Sequence, residues 1–253
     1  MSNTQPDSTW QSRALDKYYY NRPGWTDGTT QFHVLIKSNI EANAIILEIG
    51  AGPTNKTTKL LASIGDVTGL DIDPEVKNNK YCKDTIVYDG THIPCEDNSF
   101  DVVVSNYVIE HVEYPLEICR EIRRVLRPGG SFIFRTPNLW HYVSLGAKLT
   151  PHWFHELVAN RLRNLDADSY EPYPTFHRMN SRRICRKYLT ETGFNIRILR
   201  TIEAEPSYAM VSRFLFYPLM IWERVLNSSL VFESLRSNIL CVACANKKME
   251  PIS

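Results

Sequence analysis

Apolar residues in this chain fall into short runs, and between the runs lie longer amphipathic stretches. Ile45–Ile49, Val67–Asp71, Thr85–Tyr88, Phe100–Ser105 and Ser131–Thr136 read as strands. Thr30 to Ile40 reads as a helix leading into the first strand, and Asn55 to Ser63 as the helix after it. Pro115 opens a further helix whose apolar face is Leu116, Ile118, Cys119, Ile122 and Val125, with Pro128-Gly129-Gly130 as its predicted end. Near-continuous apolar strands alternating with helices predict a parallel, doubly wound α/β sheet.

After the fifth strand the alternation breaks. Residues 137–180 are crowded with aromatic and histidine side chains, among them Trp140, His141, Tyr142, Trp153, Phe154, Tyr173, Phe176 and His177. Such an insertion sits just past the carboxyl edge of a strand, where open α/β folds bind ligands. Ser181 to Thr192 then reads as a helix stopped by Gly193, Phe194 to Thr201 as a sixth strand, and Asn238 to Asn246 as the last. Between these two strands lies a second insertion, 207–237. Residues 1–28 read as a polar tail that becomes an aromatic lid segment through Tyr18, Tyr19, Tyr20 and Trp25. The expected organisation is therefore a tail and lid over 1–28, then one domain over 29–253 with helical cap insertions at about 137–180 and 207–237.

The first strand ends in Glu48-Ile49-Gly50-Ala51-Gly52-Pro53, and the second ends in Asp71. Glycines at a strand-to-helix turn let the backbone approach a ligand, and an acid one strand over suits ribose hydroxyls. A dinucleotide fingerprint needs a third glycine so that a pyrophosphate can rest on the helix N-terminus. Here Pro53, Thr54, Asn55 and Lys56 follow instead, and no Gly-Lys-Ser/Thr phosphate loop exists. The pattern therefore points to a ligand with a ribose but without phosphate. Glu48 points the same way, since an acid there repels phosphate and suits an amino-bearing ligand.

Glu48-Ile49-Gly50-Ala51-Gly52 resembles motif I of the class I S-adenosylmethionine-dependent methyltransferases. Further segments are similar to that family in the same order. They are Gly69-Leu70-Asp71-Ile72-Asp73-Pro74, Tyr88-Asp89-Gly90 through Asn98-Ser99-Phe100-Asp101, Ser105-Asn106-Tyr107-Val108-Ile109-Glu110-His111-Val112, and Arg124-Val125-Leu126-Arg127-Pro128-Gly129-Gly130. The usual third glycine of motif I is Thr54. The resemblance implies a Rossmann-like, seven-stranded, mostly parallel sheet with its last strand antiparallel, and S-adenosyl-L-methionine as cofactor. It further implies that Gly50, Ala51 and Gly52 run against the cofactor's amino-acid part and that Glu48 orients that part. Asp71 would take the ribose hydroxyls with Ile72 beside it, Asp89 the adenine amino group, and Gly90 the ring edge. Backbone groups near Ser105 and Asn106 would meet the methionine amine.

A sulfonium methyl needs only an aligned acceptor and, for a hydroxyl, a base. His111 at the end of strand four and His141 in the insertion are the candidate catalytic residues, with His177 a third histidine beside them. Capping or packing is the competing role for each. The acceptor suggested by the resemblance is a small molecule, a hydroxyl oxygen of a sugar or other metabolite. Alternatives are a nitrogen, carbon or protein side-chain acceptor, or a non-catalytic binding subunit. No metal is expected: some quinone-pathway methyltransferases carry an acid where this chain has Tyr107, which leaves Glu110 and His111 without a third ligand. Base methylation is disfavoured, since Ser105-Asn106-Tyr107-Val108 replaces the Asn/Asp-Pro-Pro-Tyr/Phe motif of nucleic-acid amino-methyltransferases.

Charge excludes little more. With 29 basic and 28 acidic residues the formal net charge is +1, so no global field advertises nucleic acid. The stretch Met1 to Ser12 lacks the apolar core of a secretory signal, and no apolar window is long enough to predict a spanning helix. The six cysteines show no framework spacing. Cys241 and Cys244 lie three apart on a predicted strand and so on opposite faces, and a cytoplasmic protein with reduced thiols is the expectation. The apolar stretch 208–226 leaves three readings open: a core-packed cap, a dimer face or lipophilic substrate wall, or a membrane-surface contact.

Overall fold

The computed structural model describes residues 9–142, 173–204 and 212–246. Seven strands form one sheet: β1 (Ile45–Ile49), β2 (Asp66–Asp71), β3 (Asp84–Val87), β4 (Phe100–Asn106), β5 (Leu126–Pro137), β6 (Phe194–Ile202) and β7 (Asn238–Ala245). Their spatial order is β3-β2-β1-β4-β5-β7-β6. The pairs are parallel except that β7 runs antiparallel between β5 and β6. This is the doubly wound sheet that the alternation predicts.

Both faces of the sheet are covered, as its apolar strands require. Ile46, Val102, Val104 and Ile133 face one layer, where they pack with Phe32, Leu35 and Ile36 of α2 (Gly28–Lys37) and Leu61 of α3 (Lys56–Ala62). Their strand neighbours Leu47, Val103, Phe132 and Phe134 face the other layer. That layer holds Ile118, Cys119 and Ile122 of α4 (Pro115–Val125) and Cys185 and Leu189 of α5 (Arg182–Glu191). Side-chain caps set the helix starts: Asp27 accepts from Thr29 and Thr30 N–H, Asn55 from Thr57 and Thr58 N–H, and Ser181 from Ile184 N–H. Cys241 is fully buried in the α4–α5 layer, while Cys244 lies on the opposite face beside the Ser131 hydroxyl. All six cysteines are free.

Three local expectations differ from the structure. α2 begins at Gly28, because Asp27 rather than a later residue supplies the cap. α4 ends at Val125, and Pro128-Gly129-Gly130 belongs to β5, because Pro128 disfavours a helical Arg127. The segment before residue 28 contains a helix, α1 (Trp10–Leu15), continued by a π turn over Asp16–Tyr20. Tyr19 is fully buried there and packs with Phe216 of α6 (Arg213–Ser228). Of the two insertions, 143–172 and 205–211 lie outside the described residues. Among the described residues no helix is long and apolar enough to cross a membrane.

Strand order reverses between β1 and β4: the chain builds outward to β3, then returns to place β4 on the other side of β1. Loops leaving adjacent strands in opposite directions open a crevice at their carboxyl ends. The Gly50 turn and the Asn106–Tyr107 turn flank that crevice.

Candidate functional site

β1 delivers the chain into the glycine turn. Gly50 (φ 74°) and Gly52 (φ 51°) both adopt the left-handed conformation. A Cβ on Gly50 would stand 2.1 Å from Val108 Cγ2, so strain and space both demand glycine there. The Gly50 and Ala51 N–H groups donate to the Leu70 carbonyl at 2.7 and 3.3 Å, which binds the turn to β2. Asn79 braces it from outside, its Nδ2 between 3.2 and 3.4 Å from the carbonyls of Ala51, Gly52 and Pro53.

Asp71 ends β2 with its carboxylate held in one orientation. Oδ2 accepts from Gly52 N–H at 2.8 Å and Oδ1 from Asp73 N–H at 3.0 Å. A carboxylate has about four acceptor sites, so capacity for further donors remains. Asp89 sits in a tight turn before Gly90 (φ 85°). Its Oδ1 accepts from His92 N–H, Thr91 N–H and the Thr91 hydroxyl, which together hold its pKa down at about 2.

Beneath the turn lies an acid of opposite behaviour. Glu48 is 2% exposed, and its Oε2 has no hydrogen-bond partner. Burial pushes its pKa up to about 8; the nearby Asp71 charge adds to this and a Thr58 hydrogen bond opposes it. Ser105 stands opposite Ile49 on β4, fully buried, and its Oγ likewise has no partner. Two adjacent strands thus end in buried oxygens with unused hydrogen-bonding capacity. Buried polar atoms of this kind are costly, and a ligand bearing donors would satisfy them.

The crevice is a cavity of about 430 Å³. Gly50, Asp71, Ile72, Asp89 and Gly90 line it, and His111 lines it beside them. Its remaining walls mix aromatic side chains (Tyr88, Tyr107, Tyr114, Tyr173 and Phe176) with aliphatic ones and the acids Glu113 and Glu117. Ala51 and Gly52 of the turn, and Glu48 and Ser105 beneath it, are not among the lining residues. His111 Nδ1 is 2.9 Å from the Pro174 carbonyl oxygen. A carbonyl only accepts, so Nδ1 carries the hydrogen and Nε2 keeps a lone pair while the ring is neutral.

His141, paired with His111 on sequence grounds, does not reach this cavity. Its ring is buried, 4% exposed, and packed against Tyr142, with Nε2 3.4 Å from Glu203 Oε1. The chain turns back at Asn138, whose amide donates to the Ser234 and Arg236 carbonyls, and this carries His141 away from the crevice. His177 (φ 51°) is held through its N–H to the Glu110 carbonyl and does not line the cavity either. Glu110 is buried and accepts from the Thr136 hydroxyl at 3.1 Å, and burial raises its pKa. Among the described residues no three His, Cys, Asp or Glu side chains converge in a way able to hold a metal ion.

Sequence reading missed three participants. Asn79 carries no local signal, because it acts on the turn after a neighbouring strand, whereas Tyr88 stood beside Asp89 in the sequence without its place in the cavity wall being evident. Arg135 carries a local signal, being a lone cation inside an apolar strand run. Its guanidinium lies 4.3 Å from the Tyr107 ring centroid, and its Nε donates to Asn106 Oδ1 at 2.8 Å. Tyr107 (φ 59°), whose hydroxyl donates to Asn238 Oδ1 at 2.9 Å, is thereby fixed in the cavity wall.

Comparison with known proteins gives a family profile described as "Methyltransferase domain" over residues 47–134. A sterol 4-C-methyltransferase of Caenorhabditis elegans is 26% identical over 158 residues, 58% of this chain and 40% of that protein. A demethylmenaquinone methyltransferase of Staphylococcus epidermidis is 31% identical over 111 residues, 40% of this chain and 46% of that protein. The chain thus spans less than half the length of these curated relatives. Among solved structures, a chain of the complex between the Haloferax volcanii Trm112 methyltransferase activator and a putative methyltransferase matches with TM-score 0.55 and 18% identity, over 95% of this chain and 96% of that one. The cyclase SpnF matches with TM-score 0.57 and 15% identity over 91% and 87%. At these identities the likeness is one of fold.

Proposed function

From the methyltransferase-domain match over residues 47–134, we propose that this chain is a class I S-adenosylmethionine-dependent methyltransferase that methylates a small-molecule acceptor, foremost a hydroxyl oxygen of a sugar or other metabolite. One observation supports the reading above the rest. The oriented Asp71 carboxylate and the Asp89-Gly90 turn wall the same cavity that the glycine turn opens.

The residues fit the cofactor. Asp71 has acceptor capacity for two ribose hydroxyls, and Asp89 and Gly90 suit the adenine edge. Ile72 is 44% exposed and offers an apolar surface for the ring. Gly50, Ala51 and Gly52 present backbone without side-chain bulk, over the buried Glu48 and Ser105 oxygens that suit an ammonium group. When bound, the cofactor supplies an electrophilic sulfonium methyl. His111 Nε2 then takes the acceptor's proton, while its Nδ1–H stays on the Pro174 carbonyl and keeps the ring aligned. The aromatic side chains on the cavity wall offer flat surfaces that would orient the acceptor.

Asp71→Ala is expected to weaken cofactor binding about 10- to 100-fold in calorimetry, the worth of a charge-assisted pair of hydrogen bonds. Unchanged affinity ends the reading. Methyl release against fractionated cell extract identifies the acceptor. His111→Gln should lower kcat by about 10²–10⁴ with little change in cofactor affinity.

A second reading is methyl transfer to carbon on an apolar ring. It is favoured by the aromatic side chains on the cavity wall and by the name of the sterol 4-C-methyltransferase relative.

A further inference from the structure

A surface helix ordinarily turns its charges outward. α6 does the reverse. Its buried side holds Phe216, Leu226 and the acid Glu223, which accepts from the Tyr19 hydroxyl at 3.1 Å and the Asn227 amide at 2.6 Å. Its outward side presents Phe214, Tyr217, Ile221, Trp222 and Val225, all exposed, with Phe214 91% exposed. The 16-residue helix is about 24 Å long, and this stripe follows its three-to-four spacing from end to end. Just beyond its C-terminus, Leu230 and Val231 are 75% and 81% exposed.

Shape, side-chain type and charge select the covering medium. Side chains standing out this far need matching pits in a protein partner, whereas a fluid acyl layer receives them without any. Tyr217 and Trp222 combine an apolar body with a polar tip, as the interfacial layer favours. The N-terminal segment packed against α6 exposes Arg13, Lys17 and Arg22, and the helix opens on exposed Arg213. Against these the described residues of the same two elements expose one acid, Asp16. That balance complements anionic headgroups. Topology adds the location. β6 ends at Ile202 opposite Asn238, where β7 begins beside Pro137, so the segment carrying α6 starts and finishes at the sheet edge that holds the cavity.

We infer that the outward face of α6, with Leu230 and Val231, docks this protein on the surface of an anionic lipid bilayer. The inference stands on the surface alone and is independent of the acceptor. Full-length protein should float with phosphatidylcholine–phosphatidylglycerol vesicles at low salt and less with pure phosphatidylcholine. Paired Phe214→Ser and Ile221→Asp substitutions should reduce the floated fraction by about tenfold or more, with cofactor affinity by calorimetry unchanged as the proof of folding. Trp222→Phe should remove most of the fluorescence blue shift seen on adding vesicles. No flotation at any composition or salt overturns the inference. So does full flotation of the paired variant, or a dimer that hides this face and leaves the protein unable to bind vesicles.

Discussion

Glu48 has a consequence for pH. Its pKa of about 8 in the folded protein lies far above the ordinary 4.5. As pH rises from about 5 to 8 the unfolded chain loses this proton while the folded one keeps it, so stability falls across that window. It levels off above the folded value. Glu48→Gln cannot ionise, and its denaturation midpoint should be flatter from pH 5 to 8 than that of the parent; an identical decline in both refutes the assignment. The glycines make a second, graded case. Gly52→Ala should cost about 1–2 kcal/mol, the strain of a left-handed L residue, since no atom crowds its Cβ nearer than Asp71 Oδ2 at 3.9 Å. Gly50→Ala adds a collision with Val108 and should cost more, and adding Val108→Ala should restore part of the loss. Both ends of this contrast were visible in the sequence as a Gly-x-Gly turn. Which glycine is the crowded one was not, because Val108 arrives from the turn after β4.

Helices and strands carry the next level. α4 does more than cover the sheet. From it Arg124 donates to both Glu121 oxygens, to Asp97 and to the Ile93 and Cys95 carbonyls, at 2.8–2.9 Å. It thereby pins the connection between β3 and β4, which begins with the Asp89 turn. Arg124→Met should cost about 2–3 kcal/mol in chemical denaturation and loosen cofactor binding through that turn. An effect on stability with none on affinity would separate the helix from the site. The amphipathic pattern predicted α4 well, since its stripe of Ile118, Cys119, Ile122 and Val125 is the buried one. The α1 helix and the burial of Tyr19 were not predictable in the same way. A run of three tyrosines has no helical period, and its burial depends on α6 some two hundred residues later.

For the protein taken together, the crevice couples ligand to fold. Its walls come from loops after β1, β2, β3 and β4 and from residues 173–176, so a ligand seated there ties separate layers together. Cofactor or its demethylated product at about 100 times Kd should add ~2.7 kcal/mol, which raises the melting temperature of a chain this size by about 5–10 °C. Asp71→Ala should lose most of that shift. Absence of any shift with either compound argues against a cavity that binds them.

Periodicity was enough to place the strands and to order the helices between them, and the Gly-x-Gly turn with Asp71 pointed to the ends of β1 and β2, where the cavity lies, because these depend on neighbours within a few residues. The convergence of distant parts was beyond its reach. His111 acquires its tautomer from Pro174, His141 is drawn off to Glu203, Arg135 stacks on Tyr107, and the apolar stripe of α6 turns outward. Each depends on which elements pack together, and burial and contact across the fold are properties of three-dimensional neighbours that no linear spacing encodes.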